Sequence, residues 1–271
     1  MRNVAWGNRT YIMGIVNATP DSFSGDGATH VEDAVARGVT QVEEGADFVD
    51  VGGESTRPGH DPVDEATEMA RAIPVLRALR ERLPNTILSI DTTKPAVARA
   101  AADVGADAIN CVQRAPDALL EIAVERGMMF VAMHNQVGTS YAGDVVDEVL
   151  RVLDECSRAA VRHGIARGRI LLDPGIGFGK TADQNLQVLR KLDRIVALGF
   201  PTMIGASRKS TLGKLTGHPP PQRVYATAAT SALAAAAGID VVRVHDVAAT
   251  RDALAVADAI FRNWRPAQWI G

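Results

Sequence analysis

The stretch that decides the fold is Thr86-Ile87-Leu88-Ser89-Ile90-Asp91-Thr92-Thr93-Lys94-Pro95, followed by an alanine-rich run that ends at Val104-Gly105. Its first part is a short, nearly continuous apolar run ending in an acid, the pattern of a strand buried on both faces of a parallel sheet. Pro95 suits the first turn of a helix, where its missing N–H costs nothing. The spacing after it predicts a helix over Pro95–Val104. Gly105 follows, as helix C-termini prefer, and the next apolar run opens at Ala106.

The same unit recurs along the chain. Strands are predicted at Tyr11–Asn17, Phe48–Gly52, Thr86–Asp91, Ala106–Asn110, Met128–His134, Ile170–Asp173, Thr202–Ser207 and Asp240–His245. Helices are predicted at Val31–Glu44, Asp64–Arg82, Pro95–Val104, Asp117–Glu125, Asp144–His163, Asp183–Leu198, Gln222–Ala237 and Ala249–Arg262. Gly45, Gly105, Gly127, Gly164, Gly199 and Gly238 punctuate the helix ends. Strand–helix units repeated without a low-complexity linker make an α/β fold of the closed (β/α)8 type, a TIM barrel, the expected architecture, with residues 1–271 as one domain. The alternative, an open doubly wound sheet, lacks a Gly-x-Gly-x-x-Gly turn after the first strand.

Composition agrees. Of 271 residues 46% are hydrophobic and only 4% aromatic, with alanine and valine dominant, as expected where small and β-branched side chains fill barrel layers. A net charge of −3 argues against a nucleic-acid or anionic-membrane partner. Any anion site must therefore be a local cluster. Cys111 and Cys156 form no CxxC pair, so neither a disulfide framework nor a zinc site is indicated. No basic leader with an apolar run, and no apolar stretch of about 18 residues, is found. The expectation is a soluble cytoplasmic protein.

Chemistry collects at the strand ends: Asn17, Asp50 and Glu54, Asp91, Asn110, His134, Asp173, Ser207-Arg208-Lys209, and Arg243 with His245. In this fold those ends converge on one mouth, although each polar residue taken alone also reads as a helix cap. Asp91, Asp173 and Asn110 suit a heterocycle that presents several N–H donors. Lys209 and Arg243 can meet ring acceptors, and a guanidinium can stack on a flat ring. A divalent-metal cage built from the same acids is the competing reading, weakened by the lack of paired His–acid spacing. Ser55-Thr56-Arg57-Pro58-Gly59 gathers hydroxyls, backbone N–H groups and a guanidinium suited to an anion, unless Arg57 simply pairs with Glu54. Arg243 and His245 point the same way on a strand. The long loops 18–30 and 52–62 are candidate covers for the mouth.

Taken in order, several segments resemble dihydropteroate synthase. They are Met13-Gly14-Ile15-Val16-Asn17-Ala18-Thr19-Pro20-Asp21-Ser22-Phe23-Ser24, Val51-Gly52-Gly53-Glu54-Ser55-Thr56-Arg57-Pro58-Gly59 and Ser89-Ile90-Asp91-Thr92-Thr93-Lys94-Pro95. Leu172-Asp173-Pro174-Gly175-Ile176-Gly177-Phe178-Gly179-Lys180, Gly205-Ala206-Ser207-Arg208-Lys209-Ser210 and Arg243-Val244-His245-Asp246-Val247 complete the set. The resemblance implies condensation of 6-hydroxymethyl-7,8-dihydropterin diphosphate with 4-aminobenzoate in folate biosynthesis. It implies that Asp91, Asn110, Asp173 and Lys209 grip the pterin, with Arg243 and Met133 on its faces. Asn17 would help hold Mg²⁺ on the diphosphate, whose charge Arg57, Arg243 and His245 would receive. Phe23, Thr56, Pro58, Ser207 and Lys209 would shape the aminobenzoate pocket. Of these, Asp91, Asp173, Lys209, Arg243 and His245 are the expected catalytic set. A homodimer through the late helices is also implied.

The sequence departs from the family pattern at Cys111, where the family usually has Asp, which implies a charge lost from the pocket wall. It departs again in the shortened loop after His134. Those departures leave room for a pterin-binding paralogue with altered or lost catalysis; a pterin-dependent methyltransferase module on the same barrel is the other rival.

Overall fold

Nearly continuous apolar runs buried on both faces form the strands, and helices of 3.6-residue periodicity fill the intervals between them. The computed structural model describes residues 4–19, 27–54, 62–267 and 269, residues 27–30 by backbone alone. In chain order these give β1 (Tyr11–Asn17), α1 (Gly27–Glu43), β2 (Phe48–Gly52), α2 (Glu65–Arg82), β3 (Ile87–Asp91), α3 (Pro95–Asp103), β4 (Ala108–Cys111) and α4 (Asp117–Glu125). Then follow β5 (Met129–Met133), α5 (Val145–His163), β6 (Ile170–Asp173), α6 (Ala182–Leu189), α7 (Leu192–Val196) and β7 (Met203–Ile204). The series ends with α8 (Ser210–Thr216), α9 (Val224–Ala236), β8 (Val241–Val244) and α10 (Val247–Phe261).

The eight strands form one sheet in the order β6-β5-β4-β3-β2-β1-β8-β7, and every pairing is parallel. A parallel bridge between Leu172 and Thr202 joins the two ends, so the sheet closes into the expected (β/α)8 barrel. Closure removes exposed sheet edges. The six predicted helix-ending glycines all have positive φ, from 63° at Gly127 to 112° at Gly45. Asp64 caps α2 by accepting from Thr67 N at 2.7 Å.

Strand parity sorts the core into two. Met13, Phe48, Ile87, Ala108, Met129, Val131, Leu171, Met203 and Val241 fill the barrel interior. Their neighbours, including Ile12, Val49, Leu88, Ile109, Phe130, Leu172, Ile204 and Val242, face the helices. Tyr11 and Trp6 pack against the interior group from the N-terminal end.

Three expectations are corrected. The helix predicted over Asp183–Leu198 is two helices, broken between Leu189 and Leu192. The strand predicted over Thr202–Ser207 is ordered as a strand only at Met203–Ile204, because the chain then turns sharply and Arg208 adopts φ 57°. An additional short helix, α8, follows that turn.

Candidate active site

Carrying the inward parity to the C-terminal end of the strands brings polar side chains into the mouth: Asp50 on β2, Asp91 on β3, Asn110 on β4, Asp173 on β6 and Arg243 on β8. Apolar residues fill the barrel below them. Arg243 is the hub. Its Nε donates to Asp50 Oδ2 at 2.7 Å and its Nη2 to Asp91 Oδ2 at 2.8 Å. Asn110 Nδ2 donates to the same Asp50 oxygen at 2.8 Å. The guanidinium therefore lies where a metal shared by these acids would have to sit. Among the described residues no three or more His, Cys, Asp and Glu side chains come together as a metal site.

Among the described residues, three buried oxygens at inward positions of β2 and β3 have no partner: Asp50 Oδ1, Asp91 Oδ1 and Ser89 Oγ. An unsatisfied buried acceptor is costly, and one in a mouth is poised for a ligand donor. Burial pushes the Asp91 carboxyl up to about 7, Arg243 pulling it back and Asp50 pushing it further. Asp173 is also raised by burial, opposed by Gly175 N, which donates to its Oδ1 at 2.7 Å, and by Lys209.

Above the hub opens a cleft lined in part by Asn110, Met133, Asp173, Phe178, Lys209 and Arg243. Five of the six residues expected to hold the pterin thus share one cleft, and the sixth, Asp91, is bonded to Arg243 at its edge. Lys209 Nζ lies 4.0 Å from the centre of the Phe178 ring, a cation–π contact. Gly177 makes that approach possible. Its φ is 83°, and a Cβ there would stand 2.9 Å from Lys209 Cδ. Gly177→Ala is expected to cost about 1–2 kcal/mol in backbone strain and to displace Lys209. A titration should show pterin affinity lowered; unchanged affinity would mean that Lys209 does not need this turn.

Beside the cleft, His245 Nδ1 lies 2.9 Å from Ser207 Oγ, which also accepts from His245 N at 3.2 Å. Ser207 Oγ and His245 Nδ1 share one hydrogen bond, whose donor is set by the imidazole tautomer. Burial, reinforced by Arg243, Arg208 and Arg37, pushes His245 down to about 3. His245 is therefore held as a neutral imidazole. The Ser207-Arg208-Lys209 turn is braced from behind. Arg208 makes a two-pronged ion pair with Asp246 (2.9 and 2.5 Å), and Arg223 Nη1 donates to Arg208 O at 2.7 Å.

Asn17 ends β1 opposite Gly52 and shares the inward parity of Met13. Phe23, Thr56, Arg57 and Pro58 lie outside the described residues. Glu54, the alternative partner of Arg57, is bonded to Lys94 and accepts from Val63 N at 3.3 Å. His134 lies one residue past the end of β5, beyond the strand expected to reach it, and is fully buried and bonded to Lys180, away from the cleft lining. Cys111 corrects an expectation. Because Asn110 faces in, Cys111 faces out into the helix-side core, and its identity takes no charge from the pocket wall. Burial pushes its thiol up to about 12. Sequence reasoning gave no role to Asp50 or to Phe178. The parity of β2 was the available signal for Asp50. No local signal existed for Phe178, whose contact with Lys209 is tertiary.

Residues 13–245 match the family described as pterin binding enzyme. A dihydropteroate synthase from Synechocystis sp. is 43% identical over 269 residues, spanning 95% of this chain and 92% of that protein. The structure of a Clostridium difficile dihydropteroate synthase in the presence of pteroic acid superimposes with a TM-score of 0.92 at 40% identity, covering 96% of this chain and all of that one. A Xanthomonas albilineans dihydropteroate synthase in complex with 7,8-dihydropteroate gives 0.87 at 44% identity, covering 94% and 95% of the two chains. With the barrel, the mouth and near full-length similarity in agreement, the chain belongs to the dihydropteroate synthases, transferases of the pterin-binding enzyme family.

Proposed function

We propose that this mouth joins 6-hydroxymethyl-7,8-dihydropterin diphosphate to 4-aminobenzoate, releasing diphosphate, with residues 1–271 acting as a single domain. The observation that carries the assignment of roles is the set of buried acids and the amide gathered around Arg243 and Lys209. Asp91, Asn110 and Asp173 accept from and donate to the pterin edge, Lys209 meets its acceptors, and Arg243 and Met133 flank the ring. The methylene C–O bond breaks with its electron pair leaving on diphosphate. Asp91 and Asp173 stabilise the delocalised cation left behind. The aminobenzoate nitrogen then forms the new C–N bond and gives up a proton. The amine is neutral, so this chain's task is chiefly to position it, through Ser207 and Lys209 with Phe23, Thr56 and Pro58.

Arg57, Arg243 and His245 receive the diphosphate. Mg²⁺ fits the donor set. It prefers phosphate oxygens, waters and one or two protein oxygens, and the Asn17 amide oxygen can supply one. When bound, the ion would neutralise charge on the leaving diphosphate. Supplying both substrates with Mg²⁺ and measuring diphosphate release and dihydropteroate tests the assignment. Pterin binding without product would return it to the non-catalytic paralogue, whose main support, Cys111, faces away from the cleft.

A homodimer completes the reading. Tyr225 and Leu233 on α9 and Val256, Ile260 and Phe261 on α10 are exposed apolar residues on packed neighbouring helices. Replacing Leu233 and Ile260 together by Arg is expected to halve the mass seen by light scattering. A wild-type protein already monomeric would remove the dimer. No described helix is long and apolar enough to cross a membrane. Both cysteines are free and buried, which suits a protein of the reducing cytoplasm.

A further inference from the structure

Lys180 is a buried lysine to which the proposed chemistry assigns no task, only 8% exposed. Its Nζ has three acceptors: His134 Nδ1 at 2.8 Å, Gly175 O at 3.0 Å and Phe178 O at 3.1 Å. An ammonium has three donors, so the set is complete. With the ammonium in place, His134 presents a lone pair on Nδ1 and carries its proton on Nε2, which is buried and has no partner among the described residues. Burial pushes Lys180 down to about 7, with Asp173 drawing it back up and Lys209 opposing it. Holding a cation there is costly, and an apolar side chain of similar size would fill the space more cheaply.

What Lys180 holds is the turn that carries the cleft wall. Gly175, Gly177 and Gly179 all have positive φ (68°, 83° and 57°), so the turn has little intrinsic preference for one shape. It packs hard against the neighbouring strand end: a Cβ on Gly175 would stand 1.9 Å from His134 O. Tyr141 stacks on His134 with ring centroids 6.1 Å apart and donates to Gly179 O at 2.8 Å. On the other side Asn185 Oδ1 accepts from Gly177 N at 2.8 Å, and Asn185 Nδ2 donates to Thr211 Oγ1 at 3.1 Å, in the helix that Lys209 opens. Ile176 and Phe178 lie on the cleft face of this turn.

We propose that Lys180, with His134 as its acceptor, is a positioning residue for the pterin. It gives the Gly175–Phe178 turn the one shape that sets Ile176 and Phe178 on the cleft wall and lays Lys209 across the Phe178 ring. The inference rests on the reading that this cleft takes the pterin.

The test uses the full chain and titrates 6-hydroxymethyl-7,8-dihydropterin diphosphate with Mg²⁺ by calorimetry, which reports affinity per folded site. Lys180→Met and His134→Leu are each expected to weaken binding about 10- to 100-fold, because a misplacement of about 1 Å in a site costs that order. His134→Asn keeps an acceptor in place and is expected to restore affinity to within about threefold of wild type. A purely structural role would lower the folded fraction or the melting temperature and leave the dissociation constant of the folded molecules unmoved. Lys180→Met binding as wild type would overturn the proposal, as would equal weakening by Leu and Asn at position 134. Should Lys180→Met fail to fold, the His134 pair decides alone. Failure of the wild-type protein to bind would instead remove the pterin reading itself.

Discussion

Arg243→Met is expected to destabilise the protein by about 3–5 kcal/mol, because it strands two buried carboxylates without their cation. Asp50 is fully buried and Asp91 nearly so, and both lean on the one guanidinium. For a chain of this size the melting temperature should drop by roughly 10 °C. Product formation should fall at least about 1000-fold, since the same side chain is assigned to the pterin face and to the departing diphosphate. Arg243→Lys restores one positive charge but cannot reach both acids with a planar fork. It is expected to recover part of the stability and little of the activity. Thermal melting together with diphosphate release measures both effects. An Arg243→Met protein that melts within about 2 °C of wild type would show that Arg243 is not the hub of these acids.

Asp91→Asn separates recognition from stability. The wild-type carboxyl is pushed up to about 7 by burial, above its ordinary value of 3.8. The folded state therefore holds more protons than the unfolded chain between those values. The group's contribution to stability is complete below the lower value and is lost as pH rises through the upper one. Melting temperatures of wild type minus Asp91→Asn should fall as pH is raised from about 4 to about 8 across that window. Pterin binding runs the other way, because the carboxylate is the better acceptor for ring N–H donors. Wild-type affinity should rise toward neutrality, while the Asn variant should be weaker by on the order of 100-fold and nearly independent of pH. Equal affinities for the two proteins at pH 8 would remove Asp91 from the pterin grip.

Much of this site was legible because a closed barrel converts sequence parity directly into direction. A short apolar strand ending in one polar residue places that residue at the mouth, which is why Asp91, Asn110, Asp173 and Arg243 could be named without coordinates. The same rule, applied one residue further, places Cys111 outside. That reverses the expectation drawn from family resemblance alone. What parity cannot supply is partnership between distant strands. The bond from Arg243 to Asp50 and the contact of Lys209 with Phe178 depend on strand stagger and loop shape, which no local pattern encodes. His134 illustrates the opposite error: it follows the inward-facing Met133 just past the end of β5, so the same parity turns it away from the cleft and toward Lys180. The break between α6 and α7 was invisible because Asp183–Leu198 keeps a helical apolar pattern across Arg190 and Lys191.

The outward turn of Cys111 has a practical side. Cys111 and Cys156 are both buried, and burial raises both thiols, so the reactive thiolate is scarce at neutral pH. The native chain is therefore a nearly silent background for maleimide chemistry. A single cysteine introduced at an exposed position such as Val137 would carry a fluorophore beside the loop that follows β5. Fluorescence from that position on adding substrates then tests whether the loop moves in the otherwise unaltered protein.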